Sequence, residues 1–121
     1  MRILIVDDDS ELRSSLRAAF VDLYQVDEAD DGKSAIAWIE KYGPPNLVIL
    51  DMDMPRLGGM ETLREIKKLD PRIIVLILTA YSTVPDAVAA IREGAFNYFS
   101  KPIRHDDIRQ MVSRALRARE M

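Results

Sequence analysis

Leu47-Val48-Ile49-Leu50 and Ile73-Ile74-Val75-Leu76-Ile77-Leu78 are runs of large apolar residues without interruption. A strand with one wet face alternates polar and apolar residues. A strand with no polar residue has to be covered on both faces, and that is the habit of parallel sheets layered between helices. The rest of the chain is consistent with this. Residues 2–6, 25–29 and 97–100 read as three further strands, the second of them weak. Stretches of helical period separate them. Leu12, Leu16, Ala19, Phe20 and Leu23 are expected on one face of a first helix, with Ser10 as its cap. Asp31-Gly32 precedes a second helix marked by Ala35, Ile36 and Ile39, which Gly43-Pro44-Pro45 stops. A loop with Pro55, Gly58 and Gly59 leads to a third helix carrying Leu63 and Ile66, which Pro71 ends. Pro85 suits the first turn of a fourth, with Ala87, Val88 and Ile91 as its buried face and Gly94 at its exit. The last helix has Ile108, Met111, Val112, Ala115 and Leu116 on one face. Strand–helix repeated five times predicts an α/β fold, a mostly parallel sheet with helices on both faces, in a single domain over residues 1–121.

Composition narrows the function classes. The 121 residues include no cysteine, which excludes disulfides, thiolate metal sites and cysteine nucleophiles. The net charge of −3 gives no electrostatic footprint for nucleic acid. The arginines near the C-terminus, Arg109, Arg114, Arg117 and Arg119, read as a basic exposed helix face. The longest apolar run is far short of a membrane span. Asp7-Asp8-Asp9 interrupts the first apolar run where a signal peptide would have to continue.

In open parallel sheets, ligands bind beyond the carboxyl ends of the strands, where the strand order reverses. The residues expected there form a set. The first strand delivers Asp7 and Asp8, the third Asp51, the fourth Thr79 and the fifth Lys101. Taken singly, each has a plainer explanation. An aspartate after a strand is often a turn residue or helix cap, which is the reading adopted for Asp9. A threonine at a strand end commonly bonds backbone, and a lysine before proline is commonly a solvated charge. Their joint arrival at four strand ends is what points to chemistry. Crowded carboxylates repel one another, and one is driven to hold a proton unless a cation relieves the conflict. Oxygen-only ligands favour a hard ion such as Mg²⁺. Lys101 and Thr79 suit phosphoryl oxygens, and a carboxylate can act as nucleophile through an aspartyl phosphate.

These residues lie in segments that resemble the receiver domains of two-component response regulators. The segments are Ile3-Leu4-Ile5-Val6-Asp7-Asp8-Asp9, Leu50-Asp51-Met52-Asp53-Met54-Pro55 with Gly59, Leu78-Thr79-Ala80, and Tyr98-Phe99-Ser100-Lys101-Pro102. The resemblance covers essentially the whole chain. It implies a flavodoxin-like (βα)5 doubly wound sheet in strand order 2-1-3-4-5. It implies that Asp51 accepts a phosphoryl group from a sensor histidine kinase or phosphotransfer protein. It further implies Mg²⁺ held by Asp8, Asp51 and the backbone carbonyl of Asp53, with Asp7 acting through a metal-bound water. Lys101 and Thr79 would contact phosphoryl oxygens, and Tyr98 would swing inward behind Thr79. The surface of the fourth helix, fifth strand and fifth helix would then change, to control an output domain or partner or to form a homodimer.

Residues 79–84 and 90–96 look most like receivers of enhancer-binding transcription activators. Gly58 stands where an aspartate is usual, and Asp53 and Tyr81 occupy positions that vary among members. The resemblance implies a cytoplasmic setting, no membrane, and contact with DNA only through an output domain outside this chain. If such a domain follows Met121, the basic last helix leads into its linker; if the chain is complete, it acts by docking to a partner. It would not be a turnover enzyme. Two other readings compete. In a haloacid-dehalogenase phosphatase, Asp51-Met52-Asp53 would be the nucleophile–acid pair, but that motif usually ends the first strand and leaves Asp7-Asp8 unexplained. A receiver-like module without phosphorylation would not need all five pocket residues.

Overall fold

The computed structural model describes residues 1–54, 57–80 and 83–120, with the backbone alone for Val84, Arg119 and Glu120. Pro55 and Tyr81 therefore lie outside the described residues. Elements alternate strictly: β1 (Arg2–Val6), α1 (Ser10–Phe20), β2 (Gln25–Ala29), α2 (Gly32–Tyr42), β3 (Leu47–Leu50), α3 (Gly59–Leu69), β4 (Ile74–Thr79), α4 (Val84–Arg92), β5 (Asn97–Ser100) and α5 (His105–Glu120). The five strands form one parallel sheet in the order 2-1-3-4-5, as expected.

Both faces of the sheet are covered, which is why β3 and β4 contain no polar residue before Thr79. One face carries Ile3, Ile5, Leu47, Ile49, Leu76 and Leu78 against α1 and α5, through Leu16, Phe20, Ile108 and Val112. The other carries Leu4, Val6, Val48, Leu50, Val75 and Ile77 against Ala35, Ile39, Leu63, Ile66 and Ala90 from α2, α3 and α4. Burying one such side chain is worth about 1.5–3 kcal/mol, so a polar residue within these strands would be costly on either face. The register aligns the strand ends. Val6 pairs with Leu50 and Leu50 with Ile77, while Thr79 pairs with Ser100. Asp7, Asp51, Thr79 and Lys101 thereby reach one edge.

Several local expectations need correction. Asp9, not Ser10, caps α1: its carboxylate accepts from the N–H groups of Glu11 and Leu12, and Ser10 is already helical. A carboxylate is favoured at the positive end of a helix over a hydroxyl one residue later. α1 ends at Phe20, so Leu23 lies beyond it and is exposed. β4 starts at Ile74, because Ile73 is still in the turn closed by Asp70. The largest departure is α4. Val88 and Ile91 are 45% and 46% exposed, Ala87 is half-buried, and among the described side chains of α4 Ala90 is the fully buried one. The spacing permits two apolar faces, one of alanines and one of Val88 and Ile91. Ala90 packs into the core on one face of the sheet, so the small face is the one turned inward.

Gly59 sets the path of the loop after β3. A Cβ there would lie 2.8 Å from the Asp51 carbonyl oxygen and would overlap Met52 Cα, whereas a Cβ at Gly58 meets nothing within 4 Å. Gly59→Ala is therefore expected to destabilise the fold by about 1–3 kcal/mol, the usual cost of forcing extra volume against backbone. Gly58→Ala should cost less than about 1 kcal/mol. Urea unfolding of the two variants tests this, and equal costs would contradict the assignment.

Candidate functional site

The site is built from strand ends. Asp7 follows β1 and is 3% exposed; Asp51 follows β3 and is 4% exposed. Asp8, next in sequence to Asp7, is exposed on the rim. Carboxylate oxygens of Asp7, Asp8 and Asp51 all lie within 4.8 Å of one another. Lys101, just past β5, extends its ammonium back across the sheet edge to 2.8 Å from Asp7 and 3.5 Å from Asp51. Four of the residues singled out in the sequence are thus brought together.

Backbone and helix contacts fix the carboxylates in place. The N–H of Asp9 donates to Asp7 Oδ1 at 2.9 Å, and the N–H of Asp53 donates to Asp51 Oδ1 at 3.3 Å. The guanidinium of Arg13, one turn into α1, donates to the Asp7 carbonyl and pairs with Glu28 of β2 at 3.1 Å. Arg13 was not anticipated. Its only sequence signal is position, four residues after the capping Asp9.

Thr79 is completely buried, and its hydroxyl donates to Asp53 Oδ2 at 2.8 Å. The hydroxyl expected to contact a phosphoryl oxygen is here engaged with the carboxylate two residues after Asp51. Tyr98 is half-buried on the same sheet face as Ile77, and with Asp53, Glu61 and Asp86 it lines a small cavity of about 290 Å³ beside the site.

Charge shapes the chemistry of this pocket. Burial raises the Asp51 carboxyl, and the adjacent Asp7 raises it further. The Asp53 N–H and Lys101 act in the opposite direction, and the balance lies at about 6 instead of 3.8. Burial works against the Lys101 ammonium, but its hydrogen bond to Asp7 and the charge of Asp51 outweigh that and hold its pKa above the ordinary lysine value. Burial, then Asp86 and Asp53, raise the Tyr98 phenol. The conflict between Asp7 and Asp51 is one that a divalent cation would relieve. The donors are hard oxygens, and Asp8 offers a solvent-facing point of entry. This donor set fits Mg²⁺ better than softer metals.

A pH dependence follows. A carboxyl with a raised folded pKa binds its proton more tightly in the folded chain. Folding is therefore favoured below the unfolded pKa, and that advantage is lost as pH rises through about 6. The full swing is about 2–3 kcal/mol. In metal-free buffer, the stability of the wild type relative to Asp51→Asn is expected to fall by this amount between about pH 4 and pH 7. A flat difference in denaturant titrations across that range would remove Asp51 as the titrating group.

Comparison with known proteins agrees with the geometry. The model of the response regulator receiver domain matches residues 3–113. The regulatory protein AtoC of Escherichia coli is 36% identical over 121 residues, 99% of this chain and 26% of AtoC. The transcriptional regulatory protein ZraR of Klebsiella oxytoca is 41% identical over 116 residues, 94% of this chain and 26% of ZraR. The chain thus spans about a quarter of these two relatives. The crystal structure of the signal receiver domain of a putative Luxo repressor protein from Vibrio parahaemolyticus superposes with a TM-score of 0.92 at 32% identity, covering 98% of this chain and 92% of that one. The phosphatase reading has no support from these matches. A five-stranded sheet in this order, with its acidic edge and a family match over nearly its whole length, places the chain among the response regulator receiver domains of two-component phosphorelay signalling.

Proposed function

We propose that this chain is a phosphoryl-operated switch in which Asp51 is the acceptor. The observation that carries this reading is the environment of Asp51: a buried carboxylate at the end of β3, flanked by Asp7 and the Lys101 ammonium and opening onto the exposed Asp8. A pKa near 6 keeps Asp51 mostly ionised at neutral pH, as a nucleophile must be. An Asp51 carboxylate oxygen attacks the phosphorus of a phosphohistidine. A P–O bond forms, the P–N bond breaks, and the imidazole nitrogen leaves with the bonding pair. Lys101 lies where it can accompany a phosphoryl oxygen with positive charge. Thr79 and Tyr98 are the groups whose rearrangement would report the new charge.

Asp8, Asp51 and the Asp53 carbonyl would hold Mg²⁺, with Asp7 beyond them. The ion would neutralise charge on the transferring group. The donor would be a sensor histidine kinase or a phosphotransfer protein, in the cytoplasm, with residues 1–121 acting as one receiver unit. No described helix is long and apolar enough to cross a membrane.

The responding surface would be that of α4, β5 and α5. In support, Ala87, Val88 and Ile91 line a shallow groove of about 330 Å³ with Asn97 and Tyr98. The relatives AtoC and ZraR are named as regulatory proteins. By analogy, output would be transcriptional, of the enhancer-binding kind, with DNA contacted by a domain outside this chain. The same surface is the candidate for homodimerisation.

Incubation with acetyl phosphate and Mg²⁺, followed by intact mass, is expected to show a gain of one phosphoryl group that Asp51→Asn abolishes. Labelling that survives the substitution would refute the assignment. Asp8→Ala is expected to weaken Mg²⁺ binding by about tenfold or more, because it removes an anionic ligand from the rim. Calorimetric titration with the metal alone tests this, and unchanged affinity would exclude Asp8 as a ligand.

A further inference from the structure

The Asp53 side chain has no part in the metal and phosphoryl roles above, which use only its backbone. Its position is nonetheless specific. The backbone N–H of Asp53 supports the Asp51 carboxylate at 3.3 Å, and its own carboxylate accepts the Thr79 hydroxyl at 2.8 Å. One residue therefore touches both the phosphoryl acceptor and the hydroxyl that would report phosphorylation. Thr79 is completely buried, so its hydroxyl cannot turn freely into water. Asp53 itself is exposed.

A hydroxyl has one proton to donate, and a carboxylate only accepts. A phosphoryl oxygen on Asp51 is also an acceptor. The two acceptors lie on the same short loop, and the Thr79 proton serves one of them at a time. Hydrogen bonds to charged acceptors are the stronger class, so the resting direction of Thr79 is held against the switched one.

We propose that the Asp53 carboxylate is a positioning residue that latches the Thr79 hydroxyl in its resting direction and competes with the phosphoryl group for it. The latch sets how far the switch equilibrium lies toward rest before phosphorylation. A ligand shifts such an equilibrium only by its differential interaction with the two states, and Asp53 supplies a differential of opposite sign to the phosphoryl group. The proposal rests on Asp51 being the acceptor.

The test is a double-mutant cycle on the full chain without phosphodonor. The switched fraction is read from amide chemical shifts along β4 and β5, with the acetyl-phosphate-treated wild type as the switched reference. Asp53→Ala is expected to raise the switched-to-resting ratio by about three- to tenfold, the scale of one charge-assisted hydrogen bond. Asp53→Asn, which keeps an acceptor oxygen, should fall between Ala and wild type. In a Thr79→Val background, Asp53→Ala should add nothing, because the proton donor is gone. An equal effect in both backgrounds, no shift in Asp53→Ala, or an Asn variant no nearer wild type than Ala would each overturn the latch. Labelling of Asp51 is measured on the same samples by intact mass. Its failure in the wild type would refute the acceptor assignment, whereas labelling without the coupling would refute the latch alone.

Discussion

Lys101 sits between two buried carboxylates that would otherwise repel each other. It lies 94 residues from Asp7 in sequence, and β3 and β4 separate their strands in the sheet. Its ammonium reaches over the intervening strand ends to 2.8 Å from Asp7 and 3.5 Å from Asp51. A buried ion pair is a poor source of stability, because removing charges from water costs about as much as their attraction returns. Here the contact instead defines an arrangement. It places one positive charge at the point where two negative charges are held by backbone N–H groups, and it only partly offsets the burial and the Asp7 charge that raise the Asp51 carboxyl. A phosphoryl group or a cation arriving at this edge meets a pocket whose charge is not yet balanced.

That imbalance is confined to the edge because the rest of the sheet is apolar on both faces. β3 and β4 can contribute polar groups only where they end, and the parallel register makes those ends coincide. The fold therefore concentrates the chemistry by excluding it elsewhere. The same register explains how Thr79 can be wholly buried and still reach Asp53. It is the last residue of a strand that is otherwise hydrocarbon.

Most of this was legible in the sequence, for a physical reason. Period and punctuation are local properties. The uninterrupted runs at Leu47–Leu50 and Ile73–Leu78 announced a doubly covered sheet, and Asp31, Gly43 and Gly94 marked helix ends where the structure has them. What failed depended on distances between elements. Whether α4 would bury Val88 and Ile91 or Ala90 depends on which face it turns to the core, which no helical period encodes. Arg13 became a site residue because α1 packs beside β2 and brings it to Glu28 and the Asp7 carbonyl. The strand order itself came from family resemblance, since alternation alone is compatible with other orders.

Thr79 shows most clearly what the residue inventory could not supply. Its place at a strand end was readable, but the direction of its hydroxyl was not. That direction depends on which acceptor stands within reach, and the hydroxyl donates to the Asp53 carboxylate, from the turn after β3 that also supports Asp51. A pocket with the same acceptor, lysine and threonine but an apolar side chain at position 53 would keep every group to which the proposed function assigns phosphoryl transfer. Its hydroxyl would have one competing acceptor fewer, and its resting state would be correspondingly less well defined. On the proposed assignment, transfer and response would be separable in this site: the first would rest on Asp7, Asp8, Asp51 and Lys101, and the second on the contest over one proton on Thr79.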